Sequence, residues 1–535
     1  MDVRDHLRSA LQSALAVAGI DLAATEIAME RPANREHGDW SSNVALATAK
    51  KAGRNPRELG QQLIDTLSSD LPAHVTAIEM AGPGFVNFRL ADTWLHEVLV
   101  DVIEAGSDGY ARPELGQGVR VIVEFVSANP NKPIHAGHGR GACYGDSLAR
   151  LRERCGYEVS REFYLNDRGV QMQNFAASLA ARKRGEEPPD DGYHGEYLIG
   201  WAAEMPDDAD PLEWGYARAL ASHRATLGAL GIEFDVWFSE RSMVASGAIE
   251  ATLDDLRSHG AVYEDDGATW LRSTEYGDDK DRVLIKSDGE FTYLTPDIAY
   301  HRDKFSRADR LVNVLGADHH GYVPRMKAAM TFLGHDADDL EVTITQMVDL
   351  MRGGEPVRMS GRAGDLIELD EIIAEVGADA ARFTYLIQSV DSRQTFDLDE
   401  VMKQGMDNPV FYVQYAHARI CSILEKVAAA GINTVPLGDV DTSLLVHERE
   451  LDILRSLQEL PDAVAIACTD NAPHRIAGWS REQAAALHGF YHDYYVMGDG
   501  VSAELTQARL ALVTASRVGL RIGLDLLGVS APESM

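Results

Sequence analysis

Residues 121–138, V-I-V-E-F-V-S-A-N-P-N-K-P-I-H-A-G-H, limit what this chain can fold into more than any other stretch. A β-branched apolar run gives way to a Pro/Asn-rich turn, then to two histidines three apart at the start of an Ala/Leu/Arg-periodic segment. That order predicts a strand, a loop and a helix N-terminus. Backbone N–H groups unpaired in a first helical turn, together with the positive end of the helix dipole, attract a phosphate. His135 and His138 lie about one turn apart and can face one ligand. A second strand at 157–165 ends in N-D-R-G, and a helix follows from Val170. Strand–helix–strand units of this kind favour a parallel α/β sheet with ligands at the carboxyl ends of its strands.

A chain of 535 residues suits about three domains. Residues 1–112 mix helical periods with strand-like pieces at 75–80 and 85–90, which predicts an α+β module. Residues 113–395 predict a Rossmann-like parallel-sheet domain. Its rhythm breaks at about 182–280, where G-E-E-P-P-D-D-G and M-P-D-D-A-D-P read as solvated loops of an insertion. The rhythm resumes in F-T-Y-L-T-P-D-I-A-Y-H-R-D-K (291–304), in R-L-V-N-V-L-G-A-D-H-H-G-Y (310–322) and in a strand at 341–347. Next comes the glycine-rich stretch 351–365, M-R-G-G-E-P-V-R-M-S-G-R-A-G-D, whose three arginines suit a mobile clamp on a polyphosphate. Long Ala/Leu/Arg/Glu stretches over 396–535 predict an all-α bundle.

The formal charge of −34 argues at first sight against a nucleic-acid partner, although a basic groove can sit on an acidic body. Cys143, Cys155, Cys421 and Cys468 are far apart and show no zinc spacing, so they read as buried thiols and no metal site is expected. No stretch has the length of a membrane span, and the N-terminus carries acids where a signal peptide is basic. A cytoplasmic location is expected. In G-P-G-F-V-N-F-R-L (82–90), Phe85 and Phe88 read as core; alternatively, Phe85 and Asn87 stand on an open sheet face, where a ring stacks on a base and an amide reads its edge.

His135-Ala136-Gly137-His138 and the later Arg358-Met359-Ser360-Gly361-Arg362 resemble, in order and separation, the two motifs shared by class I aminoacyl-tRNA synthetases. With S-A-N-P-N-K-P-I-H-A-G-H-G-R-G-A, T-Y-L-T-P-D-I-A-Y-H-R-D-K, G-A-D-H-H-G-Y-V-P-R-M-K-A and the C-terminal G-L-D-L-L-G-V-S-A-P-E-S-M, nearly the whole chain resembles arginyl-tRNA synthetases in particular. The resemblance implies ATP-dependent activation of L-arginine to arginyl-adenylate and transfer to the 3′ end of its tRNA, the first step requiring bound tRNA. Mg²⁺ is expected to arrive with ATP, and the chain is expected to be a monomer.

By the same resemblance, Glu124, Tyr293 and Asp297 take the guanidinium, a planar group of five donors. Asn129 and His135 take the amino-acid end. Ala136, Gly137, His138, Gly316, Asp318, His319 and Met359 border ATP. His135, His138, Arg358, Ser360 and Arg362 serve the chemical step, and Lys132 replaces the lysine missing where Arg362 stands. Phe85 and Asn87 match the strand that meets the tRNA elbow. Tyr412, Tyr415, His417 and Arg419 fall where the helical domain reads the anticodon. A synthetase for another amino acid, a silent tRNA-binding relative and a small-molecule nucleotidyltransferase are the alternatives, each leaving the paired acids, the intact histidines or the flanking domains without a role.

Overall fold

The computed structural model describes residues 3–32, 34–317, 321–357 and 367–535. The chain forms two compact units: Met1–Gly106 with Lys426–Gln458 and Ala486–Ser516, and Ser107–Glu425 with Glu459–Ala485 and Arg517–Met535.

The first unit opens with α1 (Val3–Val17), whose Leu7, Leu11, Ala14 and Leu15 recur at helical spacing and are buried. It continues through β1 (Trp40–Ser42), α2 (Val44–Ala49), α3 (Pro56–Ser68), β2 (Val75–Ala81), β3 (Phe85–Leu90) and α4 (Thr93–Gly109). Asn55 starts α3 by accepting from the N–H groups of Arg57 and Glu58, with Pro56 as the first helical residue. The strands make an antiparallel sheet in the order β1-β3-β2, which puts β3 at its centre.

In the second unit β4 (Arg120–Glu124), α5 (Gly139–Arg154), β5 (Glu158–Leu165), α6 (Val170–Lys183), α7 (Tyr197–Glu204), α8 (Pro211–Ala229), β6 (Val236–Ser239), α9 (Glu240–Ala245) and α10 (Ala248–Ser258) come first. A small antiparallel sheet of β7 (Val262–Asp265), β8 (Ala268–Leu271) and β9 (Arg282–Ile285) follows, then α11 (Leu294–Arg307), β10 (Arg310–Gly316), α12 (Tyr322–Phe332) and β11 (Leu340–Thr345). The main sheet has the order β11-β10-β4-β5-β6, and every neighbouring pair is parallel. Connections leave β4 toward β5 on one side, while β10 sits on the other. The carboxyl ends of β4 and β10 therefore flank the crevice where such sheets bind ligands.

The two acidic runs are exposed loops, as expected, but the stretch around them carries ordered structure. The M-P-D-D-A-D-P loop ends in a helix start: Asp210 caps α8 by accepting from the Leu212 N–H, and Pro211 is the first helical residue. Met172, Phe175, Leu179, Leu198, Trp201, Ala202, Met205 and Ala219 give α6, α7 and α8 a shared apolar core. β6, in the same stretch, is the edge strand of the main sheet.

Beyond the main sheet lie β12 (Val348–Arg352), β13 (Glu355–Pro356), α13 (Leu369–Val376), α14 (Ala378–Leu386), β14 (Gln394–Asp397) and α15 (Leu398–Val401). From Pro409 the long elements are the helices α16 (Pro409–Ala429), α17 (Glu448–Thr469), α18 (His474–Asp493) and α19 (Ala503–Leu526).

Candidate active site

The strand register sets Glu124 of β4 between Asn313 of β10 and Glu162 of β5. All three are buried, and polar groups in such a position are costly unless paired. One stripe of α11 pairs them, because Tyr300, Lys304 and Arg307 recur at helical spacing. Lys304 Nζ donates to Glu124 Oε2 at 2.6 Å and to Asn313 Oδ1 at 2.8 Å. Tyr300 Oη donates to Glu162 Oε1 at 2.7 Å, and Arg307 donates to both Glu162 oxygens at 2.6 and 3.0 Å. His301 Nδ1 donates to the Asp297 carbonyl at 2.8 Å, which leaves its Nε2 to accept from Asn313 Nδ2 at 2.7 Å.

Asp297 sits in the first turn of α11. Its carboxyl is pushed up to about 7, first by burial and then by Glu124 and Glu240, with Lys304 opposing. Glu240 opens α9 at the carboxyl end of β6 and is 7% exposed, with Arg168 Nη1 at 3.6 Å. The Tyr164 and Tyr322 phenols are held protonated, chiefly by burial and then by these same acids. Glu124, Asp297 and Glu240 thus share a pocket in which Lys304 is spoken for by Glu124. Such a pocket has charge left over for a cation. Glu124 and Asp297 were legible as a pair; Glu240, Lys304, Tyr164 and Tyr322 were not assigned. The signal for Glu240 was an acid directly after V-W-F-S, at the end of a parallel strand.

Tyr293 stands apart from the cluster, its side chain 92% exposed. It precedes α11, where Leu294 and Thr295 turn inward and Thr295 Oγ1 donates to the Leu284 carbonyl at 2.7 Å.

The loop after β4 turns sharply, with Val126 and Ser127 at φ 69° and 43°. Ser127 Oγ donates to Glu124 Oε1 at 2.9 Å and accepts the Tyr164 N–H at 3.1 Å, tying the turn to the acid pocket. Asn129 is half-buried, and its Nδ2 donates to Gln171 Oε1 at 2.9 Å. His135 caps a single 3-10 turn, Ala136–His138, that runs into α5; its Nδ1 accepts from the Gly137 N–H at 3.2 Å. The two histidine rings lie 3.9 Å apart. A Cβ on Gly137 would come within 2.9 Å of the His135 ring, so a side chain there would displace the motif.

Burial, with Lys132 adding its charge, lowers His135 to about 4. Burial, then His135, Lys132 and His223, lowers His138 to about 3. Both rings are neutral near pH 7, and the half-buried Lys132 ammonium close to them supplies the positive charge. The structure thus brings Lys132, His135 and His138 together. The segment after the arginine-rich stretch pairs with the motif: Ala136 N–H donates to the Ile367 carbonyl at 2.9 Å and Leu369 N–H to the Ile134 carbonyl at 2.8 Å. Gly316 ends β10 in register with Thr345. Asp318, His319, Arg358, Met359, Ser360 and Arg362 lie outside the described residues.

Of the expected RNA contacts, Phe85 is half-buried, but Asn87 is only 6% exposed. Its Oδ1 accepts at 2.6 Å from Oγ of Ser41, its register partner on β1; the open-face reading of this amide is corrected. His417 is corrected too. It lies on the buried side of α16, 3% exposed, with Nδ1 donating to the Pro532 carbonyl at 2.8 Å. Tyr412, Tyr415 and Arg419 share a half-exposed stripe of that helix, and the Arg419 guanidinium lies 4.6 Å from the Tyr415 ring centroid. Among the described residues no cluster of His, Cys, Asp and Glu could hold a metal, and no helix is long and apolar enough to cross a membrane.

Three family models match the sequence: the class I (R) tRNA synthetase catalytic domain at residues 102–189 and 218–415, the arginyl tRNA synthetase N terminal domain at 2–90, and the DALR anticodon binding domain at 413–535. The chain is 44% identical to the arginine–tRNA ligase of Shouchella clausii, covering 99% of this chain and 97% of that one. It is 45% identical to the arginine–tRNA ligase of Frankia alni, over 100% and 99%. Its fold is similar to the solved arginyl-tRNA synthetase of Thermus thermophilus, with a TM-score of 0.78, 23% identity and 100% of both chains covered.

Proposed function

Since the chain belongs to the class I arginyl-tRNA synthetases, we propose that its acid pocket takes the guanidinium of L-arginine while the neighbouring histidine motif takes ATP. The observation that carries this reading is the set of three carboxylates around the end of β4, Glu124 and Glu240 buried and Asp297 half-buried, one short loop away from His135 and His138. Glu124 is held by Lys304 and Ser127 and Glu240 faces Arg168, so Asp297 supplies the charge that answers the guanidinium. Lysine, with a compact ammonium and no planar fork of donors, matches such spread acceptors poorly.

Asn129 and His135 place the amino-acid end. The arginine carboxylate attacks the α-phosphorus of ATP in line, a P–O bond to pyrophosphate breaks, and arginyl-adenylate forms. A hydroxyl of the terminal ribose of tRNA then attacks the acyl carbon and AMP leaves. Catalysis of the first step is positioning and charge stabilisation. His135 and His138 act there as neutral donors and Lys132 as the cation, with Ala136, Gly137 and Gly316 bordering the nucleotide. Asp318, His319, Arg358, Met359, Ser360 and Arg362 complete the ATP side in this proposal. Mg²⁺ travels with the ATP phosphates.

Phe85 in the N-terminal module meets the tRNA elbow, and the Tyr412–Tyr415–Arg419 stripe meets the anticodon. The domain limits 1–112, 113–395 and 396–535, a monomeric state and a cytoplasmic location are part of the same proposal. Arginine-dependent ATP–pyrophosphate exchange, run with and without the cognate tRNA, tests it: exchange should need the tRNA. No exchange in either condition, from folded protein that still binds tRNA, rejects the enzyme assignment.

Two further results are expected. Arginine binds the ionised form of Asp297, and below about pH 7 the empty pocket holds it protonated. Each pH unit below about 7 should therefore weaken arginine about tenfold, with a plateau above. The arginine KM measured from pH 5.5 to 8.5 checks the sign; a KM that is flat or falls with acidification removes Asp297 as the guanidinium acid. Lys132→Ala should cost about ten- to a hundredfold in kcat/KM for ATP, and more than Arg362→Ala. The reverse order would return the phosphate charge to the arginine-rich stretch.

A further inference from the structure

Asn131 and Lys132, consecutive residues of the loop after β4, are gripped by side chains from a segment outside the main sheet. Tyr193 Oη accepts from Asn131 Nδ2 at 2.8 Å, and Tyr197 Oη donates to the Asn131 carbonyl at 2.8 Å. His223 Nε2 lies 2.9 Å from the Lys132 carbonyl. A carbonyl only accepts, so Nε2 carries the hydrogen. Burial lowers the pKa of this ring, consistent with the neutral tautomer.

The three side chains have a firm base. Tyr193 and Tyr197 pack against the α6–α7–α8 core, and the Tyr193 N–H donates to Ser178 Oγ at 2.9 Å. His223 is fully buried in α8, with its ring 5.9 Å from that of Phe163. The loop has little of its own to hold it. Pro130 and Pro133 lack N–H groups, and its internal bonds include only the short Asn131 N–H to Asn129 carbonyl contact at 2.8 Å near this point. Tyr193 and Tyr197 fall between the two stretches that match the catalytic-domain family, whereas His223 and α6 lie within them.

We propose that the α6–α7–α8 segment is a positioning device for the ATP side of the reaction, with His223 and Tyr197 fixing the backbone from which Lys132 reaches the motif histidines. This rests on the role given above to Lys132. Neither His223 nor Tyr197 is assigned contact with substrate; both act through the loop.

The test compares full-length His223→Leu, His223→Gln, Tyr197→Phe, Lys132→Ala and the double variant Lys132→Ala/His223→Leu in tRNA-supported pyrophosphate exchange. His223→Leu should lower kcat/KM for ATP about ten- to a hundredfold, with arginine KM nearly unchanged. His223→Gln, which keeps an N–H donor, should recover most of the loss, and Tyr197→Phe should move the same parameter by less. On top of Lys132→Ala, His223→Leu should cost no more than roughly threefold. If its cost is the same in both backgrounds while Lys132→Ala alone is harmful, the positioning inference fails and the Lys132 assignment stands. If Lys132→Ala is silent, the assignment fails and the inference with it. Should His223→Leu not fold, Tyr197→Phe with and without Lys132→Ala decides by the same readouts: an unchanged or fully additive ATP parameter overturns the proposal.

Discussion

Asp297→Ala is expected to raise the arginine KM in pyrophosphate exchange by about two to three orders of magnitude, while kcat at saturating arginine stays within about fivefold. Glu124 is already bonded to Lys304 and Ser127, so it has little left to offer a guanidinium. Asp297, raised to about 7 by burial and by its two acidic neighbours, has no such partner among the described residues and regains a full charge when a cation arrives. The guanidinium is remote from the reacting carboxylate. Removing its acid should therefore cost binding in ground and transition states alike, the pattern of a KM effect. Asp297→Asn should lie between the two, because an amide oxygen still accepts. An arginine KM that stays put in Asp297→Ala would relocate the specificity pocket.

His138→Ala should show the opposite split, with kcat down by about a hundred- to a thousandfold and arginine KM within about threefold. The ring is buried beside His135, and its Nδ1 meets no partner among the described residues. Lowered to about 3, it is a neutral donor near pH 7, able to meet charge that grows on the phosphate during attack. Its neutrality in the empty site also means that the pH profile of kcat/KM for ATP should show no inflection from this ring between about pH 5 and 8. Single-turnover measurement of adenylate formation separates this loss from any effect on product release.

The strand–loop–helix that carries the site was legible because β-branched residues, prolines and the histidine spacing all agree locally. Glu124 and Asp297 were legible as carboxylates matching a guanidinium. What could not be read was which acid is free: that depends on Lys304 crossing from α11 to β4, a contact between residues 180 apart. Asn87 and His417 misled for a related reason. Each has the chemistry of an RNA contact, but Asn87 is buried and bonded to Ser41 across the sheet, and one face of α16 is turned toward Pro532. The acidic runs were legible as exposed loops; what composition hid is that the second of them ends in the Asp210–Pro211 helix start.

The strand order β11-β10-β4-β5-β6 also sets when, during synthesis, this protein becomes an enzyme. Val121 of β4 pairs with Arg310 of β10, which leaves the ribosome about 190 residues later. At roughly 5–20 residues per second that is a delay of about 10–40 s. Throughout it the nascent sheet carries β4, the strand with the catalytic loop, as an unpaired apolar edge, a template for wrong pairing. The acid pocket cannot form until α11 and β10 arrive together. Nascent chains are thus most exposed to misassembly midway through the second unit, and that is where holding by a chaperone would protect yield most.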